Sequence, residues 1–139
     1  MKTRRLLSEF HKKALENIAK RFKLRLVVAF GSCITGRIHA RSDIDIAVLA
    51  ENPDFSFDEF SDLAFDLQEL FPHIEVDLAI INQADPLFLK KILDDYLVLY
   101  GKPEDMARLR IYAFKRYMDH GRFFKMEEEY ARKFIKRYS

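Results

Sequence analysis

"GSCITGRIHARSDIDIAV", residues 31–48, decides how this chain is read. The chain has only four glycines, and two of them, Gly31 and Gly36, stand just ahead of an Asp-x-Asp pair set among isoleucines. A carboxylate inside an apolar strand is costly unless something of opposite charge meets it. Successive strand side chains point to opposite faces, so Asp43 and Asp45 share one face while Ile44, Ile46 and Val48 line the other. The same alternation recurs in "HIEVDLAIIN", residues 73–82, where Glu75, Asp77 and Ala79 oppose Ile74, Val76, Leu78 and Ile80. If the two strands are neighbours, Asp43, Asp45 and Asp77 converge.

Outward from this stretch the chain reads as an α/β domain: a small mixed β-sheet with flanking helices, followed by a long C-terminal helix. Leu7, Phe10, Ala14, Ile18 and Phe22 recur at helical spacing and predict a first helix from about Ser8 to Phe22. "LRLVVAF", residues 24–30, is a short apolar, β-branched run and reads as a buried strand ending at Gly31. "DIDIAVLA" is the second strand, closed by Asn52-Pro53. Phe60, Leu63, Ala64, Leu67, Leu70 and Phe71 mark an amphipathic helix that Pro72 stops. Asp85-Pro86 opens a further helix to about Asp95, and "YLVLYG" reads as a short edge strand.

From Pro103 to Tyr138 only Gly121 interrupts a helical pattern, with Glu104 and Asp105 placed at the positive end of the helix dipole. That length, ~50 Å at ~1.5 Å per residue, exceeds the ~14 Å radius of gyration of a domain this size. The helix must bend near Gly121 or project from the body. Its apolar residues occupy more than one stripe, so it needs more than one neighbour. Residues 1–101 form the expected domain, and 102–139 a helical extension for association with a partner or with a second copy.

Composition narrows the classes. A chain of 139 residues, half of them apolar, with thirteen Phe and six Tyr, can build a real core. The single cysteine, Cys33, excludes an internal disulfide, and no cysteine cluster offers a zinc site. No apolar run follows the basic N-terminus and no stretch is long enough to span a bilayer, so a soluble cytoplasmic protein is expected. The net charge of +2 hides a segregation: residues 1–25 and 108–139 together carry about +13, and residues 26–107 about −11. Two readings stand: basic helices packed around an acidic centre, or contact with a polyanion or acidic partner. RNA contact by the basic ends belongs to the second.

The acids and glycines point to one chemistry. Three carboxylates within a few ångströms repel and raise one another's pKa unless a divalent cation sits among them. All-oxygen ligands favour Mg²⁺ or Mn²⁺ over zinc. Gly31 lets the backbone turn tightly at a strand end, bringing N–H groups towards an anion, and Ser32 adds a hydroxyl donor. Carboxylates holding metal beside a phosphate cradle make a phosphoryl or nucleotidyl transfer site. His39 reads as a solvated loop residue, and Cys33 as packed near the turn, without a paired base that would make it a nucleophile.

This composite resembles the Gly-Ser…Asp-x-Asp motif of the DNA polymerase beta-like nucleotidyltransferase superfamily, and its small stand-alone branch, the minimal nucleotidyltransferases (MNT), most of all. The match takes in Gly31, Ser32, Gly36, Ser42, Asp43, Asp45 and, downstream, Asp77 in "EVDLAII"; residues 10 to 100 fit the family domain. Where many relatives carry arginine directly before the second glycine, this chain has Thr35, with Arg37 and Arg41 as candidate substitutes. The resemblance implies that Asp43, Asp45 and Asp77 are catalytic metal ligands for two Mg²⁺ ions, with Mn²⁺ as the alternative. It implies that Gly31 and Ser32 bind the β- and γ-phosphates of ATP.

It further implies transfer of AMP to a hydroxyl. In small MNT antitoxins that acceptor is a tyrosine of a HEPN-domain toxin, itself a helical bundle. The alternative is a non-catalytic antitoxin that blocks its HEPN partner sterically. A hetero-oligomer is the expected assembly, and a homodimer through the C-terminal helix is the other.

Overall fold

Alternation of apolar residues becomes a sheet whose two faces are both covered. The structure, a computed structural model, describes residues 9–31 and 43–138. In chain order it contains α1 (Glu9–Arg21), β1 (Leu24–Phe30), β2 (Ile44–Ala50), α2 (Phe57–Leu70), β3 (Val76–Ile80), a 3-10 turn (Ile81–Gln83), α3 (Pro86–Asp94), β4 (Tyr96–Gly101) and α4 (Pro103–Tyr138). The strands lie in the order β3-β2-β1-β4. β1 runs antiparallel to both β2 and β4, while β2 and β3 are parallel, so the sheet is mixed as expected. A parallel pair needs a crossover, and α2 supplies it.

Leu24, Val27 and Ala29 of β1 join Ile44, Ile46 and Val48 of β2 in one apolar cluster with Leu15 and Ile18 of α1 and Leu63 and Leu67 of α2. On the opposite face Leu26, Val28, Phe30 and Ala47 pack with Leu89 and Ile92 of α3 and Met106, Leu109 and Ala113 of α4. The register shift between Leu24 and Leu26 accounts for the change of face at the start of β1. Asp45 and Asp77 fall in phase with Ala47 and Ala79, on the α3/α4 side.

Local chemistry sets the boundaries. Ser56 caps α2, its hydroxyl accepting from the Glu59 N–H and donating to the Glu59 carboxylate. Asp85 caps α3 by accepting from the Phe88 N–H at 2.7 Å, with Pro86 in the first turn. Arg21 of α1 pairs with Asp66 of α2. The third strand is shorter than its apolar pattern: it ends at Ile80, and Asn82 turns back to the end of β2. There its amide bonds both the N–H (2.9 Å) and the carbonyl (3.0 Å) of Ala50.

Gln68 fixes the other end of β3, donating to the carbonyls of Phe71 (2.9 Å) and Ile74 (2.7 Å) and accepting from the Val76 N–H (3.0 Å). Three partly buried backbone groups would lose their partner in Gln68→Ala. That variant is expected to cost about 2 kcal/mol in chemical denaturation, with β3 and Asp77 the first part to loosen.

α4 settles the choice between bending and projecting. It runs unbroken through Gly121 for 36 residues, and a Cβ added at Gly121 would meet nothing within 4 Å. Among the described side chains of α4 the buried ones are Met106, Leu109 and Ala113, all in the first third, and Tyr117 still meets Lys90 of α3, so the helix projects only past these contacts. Ile111, Tyr112, Phe114, Met118, Met126 and Tyr130 are exposed. Among the described residues no helix is long and apolar enough to cross a membrane.

Candidate active site

The ends of β1, β2 and β3 meet at one corner. Asp45, the second residue of β2, lies opposite Phe30 of β1 in the antiparallel register and beside Asp77 of β3 in the parallel one. Asp43 precedes β2 by one residue and is exposed rather than part of the strand. The Ile44 N–H donates to the Glu75 carbonyl at 2.8 Å, which locks the start of the parallel pair.

Gly31 has φ +84°, and a Cβ there would stand 2.7 Å from Oδ2 of Asp45. Glycine is therefore required twice over, for the left-handed backbone and for the space the Asp45 carboxylate takes. Its own N–H donates to the Asp95 carbonyl at 3.4 Å, a long bond towards the end of α3 rather than towards an anion. The part of Gly31 that the structure displays is thus room for a carboxylate. Gly31→Ala is expected to displace that carboxylate and to lower transfer by about 100-fold. The strained backbone would add a stability loss of about 1–3 kcal/mol. Parallel activity and thermal-melt measurements check both.

The acids act on one another. Partial burial pushes the Asp45 carboxyl above its ordinary value, and the charges of Asp77 and, more weakly, Asp43 push it the same way; Lys91 opposes them. Among the described residues no three Asp, Glu, His or Cys side chains already stand close enough to share one ion. The donor set itself is carboxylate oxygen throughout, which suits Mg²⁺ or Mn²⁺. The repulsion that raises Asp45 is what a cation among these acids would relieve.

Ser32, Gly36 and Ser42 lie outside the described residues, as do Cys33, Thr35, Arg37, His39 and Arg41. Lys91, which no motif singles out, is the residue that sequence reasoning missed. On α3 it looks like one more exposed lysine, and only its spacing from Phe88 and Asp95, which both touch the end of β1, could have drawn notice. A cavity of about 840 Å³ is lined by Leu24, Arg25, Glu51, Tyr100, Lys102 and Arg108. It lies at the other end of the sheet from the acids.

A mixed four-stranded sheet with acids on adjacent strands beside a glycine turn defines a nucleotidyltransferase-like fold. The family model described as polymerase beta, nucleotidyltransferase, matches residues 12–105, and the chain belongs to that family. No curated protein matches the sequence. Among solved structures, a toxin–antitoxin complex with AMP-PNP contains a chain 24% identical, with a TM-score of 0.66 over 90% of this chain and 98% of that one. A complex of tri-AMPylated Shewanella oneidensis HEPN toxin with MNT antitoxin gives 20% identity and a TM-score of 0.65, covering 94% of this chain and 99% of that one. The toxin–antitoxin MntA-HepT gives 20% and 0.64, covering 93% and 99%. At these identities the likeness is one of fold.

Proposed function

We propose that this chain is an antitoxin that transfers AMP from ATP to a hydroxyl, a tyrosine of a HEPN-type toxin. The observation that carries the reading is the register pairing of Asp45 with Asp77 beside Gly31, with Asp43 close enough to act on the same carboxyl. The partner rests on the solved structures of like fold, one a complex of a HEPN toxin with an MNT antitoxin and another the toxin–antitoxin MntA-HepT. The AMP-PNP in another supports the nucleotide.

In this reading Asp43, Asp45 and Asp77 are the residues that would hold two Mg²⁺ ions. When bound, these supply charge stabilisation for the attacking and leaving oxygens of an in-line displacement at the α-phosphorus. Asp77, exposed at the sheet edge, accepts the proton of the attacking hydroxyl. The acceptor oxygen bonds to the α-phosphorus, the bond to the β-phosphate breaks, and pyrophosphate leaves with its electron pair. Gly31 and Ser32 orient the β- and γ-phosphates. Residues 102–139 serve as the association element, through the exposed apolar part of α4.

Those exposed residues also favour a second reading, a binding module that neutralises its partner sterically. Incubation with labelled ATP, Mg²⁺ and the product of the neighbouring gene separates the two. Label on the partner, lost in Asp43→Ala and Asp45→Ala while binding persists, supports transfer. Neutralisation untouched by both substitutions, without label, supports the binding module.

A further inference from the structure

Three observations place Lys91 over the acidic corner. Phe88 and Lys91 stand three residues apart and so share a side of α3, and Asp95 follows directly on the last residue of that helix, in extended conformation. The Phe88 ring meets that of Phe30 edge-on, with centroids 6.0 Å apart, and Phe30 is the register partner of Asp45. Just past the end of α3, the Asp95 backbone carbonyl receives the Gly31 N–H. Lys91 therefore stands between two contacts that both touch the end of β1, where the Asp45 carboxylate fills the space left by Gly31. The side chain is exposed and, among the described residues, forms no ion pair with a carboxylate. Its neighbour Lys90 is turned elsewhere, bonded to Asp94 at 3.2 Å and lying 5.5 Å from the Tyr117 ring centroid.

We propose that Lys91 is the side chain that meets the β- and γ-phosphates of the nucleoside triphosphate bound at this corner. The inference rests on the transferase reading above. Three carboxylates and a triphosphate together outweigh the charge of two divalent cations, so a further cation is needed where the phosphates lie. A flexible, fully charged stem is suited to a phosphate contact that forms only when nucleotide arrives.

Calorimetric titration with a non-hydrolysable ATP analogue and Mg²⁺, and separately with AMP and Mg²⁺, tests the assignment. Lys91→Met is expected to weaken the triphosphate analogue by roughly 10- to 100-fold and to leave AMP unchanged. Lys91→Arg should restore most of the affinity, and Lys90→Met should change neither ligand. Equal loss for AMP and triphosphate assigns Lys91 a structural role and overturns the proposal. So does unchanged triphosphate affinity in Lys91→Met, including the case where Arg37→Met or Arg41→Met carries the loss instead. A wild-type protein that binds AMP but gains nothing from the two further phosphates overturns it as well, while leaving the transferase reading standing. Failure of the wild type to bind any nucleotide defeats that reading and this one together.

Discussion

Asp45→Asn is expected to abolish transfer while making the metal-free protein more stable at neutral pH. The two effects have one cause. The Asp45 carboxyl titrates above its ordinary value of 3.8 because burial and the charges of Asp77 and Asp43 disfavour its ionised form. The folded state therefore holds that proton more tightly than the unfolded chain does. Stability falls as pH rises from the ordinary value through the raised one, and the penalty is fully present above it. Asparagine keeps the shape and cannot ionise, so it removes the penalty.

It also removes a metal ligand, and loss of charge stabilisation worth several kcal/mol lowers the rate by about 10³-fold or more. Melting curves without metal should show the variant above wild type at pH 7, with the gap closing as pH falls towards 4. Mg²⁺ should raise the wild-type midpoint and leave the variant's unchanged. A variant that melts below wild type at pH 7, or keeps a tenth of the activity, would sink the account of this corner. Stability given up for a charged site is a common trade at active centres.

The sheet is largely legible in the sequence. Alternation in "DIDIAV" assigned Ile44, Ile46 and Val48 to one core and Asp45 to the other face, because a one-residue slip would bury the acids. Pro72, Asp85-Pro86 and Pro103 marked boundaries, since each restricts the backbone in a way that regular structure tolerates at few positions. Three features were not legible. Asp43 belongs to the strand by pattern, but the ladder with β3 begins only at Ile44. Gly31 reads as a phosphate turn, while the structure shows its missing side chain making room for Asp45. Lys91 is invisible to periodicity because an exposed lysine carries no local signal; only the tertiary packing of α3 brings it to the acids. The course of α4 lay between: helical propensity gave its length, but whether it bends depends on partners that propensity does not describe.

Charging the outer side of α4 should separate association from chemistry. Opposite the buried Met106, Leu109 and Ala113, this helix presents Ile111 and Phe114, 58% and 66% exposed, along one side. They border an apolar groove of about 750 Å³ between α3 and α4, with Leu93 and Tyr117 in its lining and Lys90, Arg110 and Lys115 among the cations beside it. A helical bundle with an acidic rim suits such a groove, its apolar residues entering between α3 and α4. In the proposed function the HEPN toxin would be that occupant.

Because Ile111 and Phe114 are exposed, the double substitution Ile111→Glu, Phe114→Glu should leave the melting temperature nearly unchanged. Two apolar anchors replaced by acids facing an acidic rim should weaken partner binding by about 100-fold or more. Label transfer to the toxin should fall with it, while binding of ATP and Mg²⁺, governed by the opposite side of α3, stays as in wild type. Unaltered association of the double variant with its toxin would remove this groove from the interface. Loss of nucleotide binding alongside association would mean that the substitutions disturb α3 itself, and that the packing of Phe88 on Phe30 depends on the outer groove.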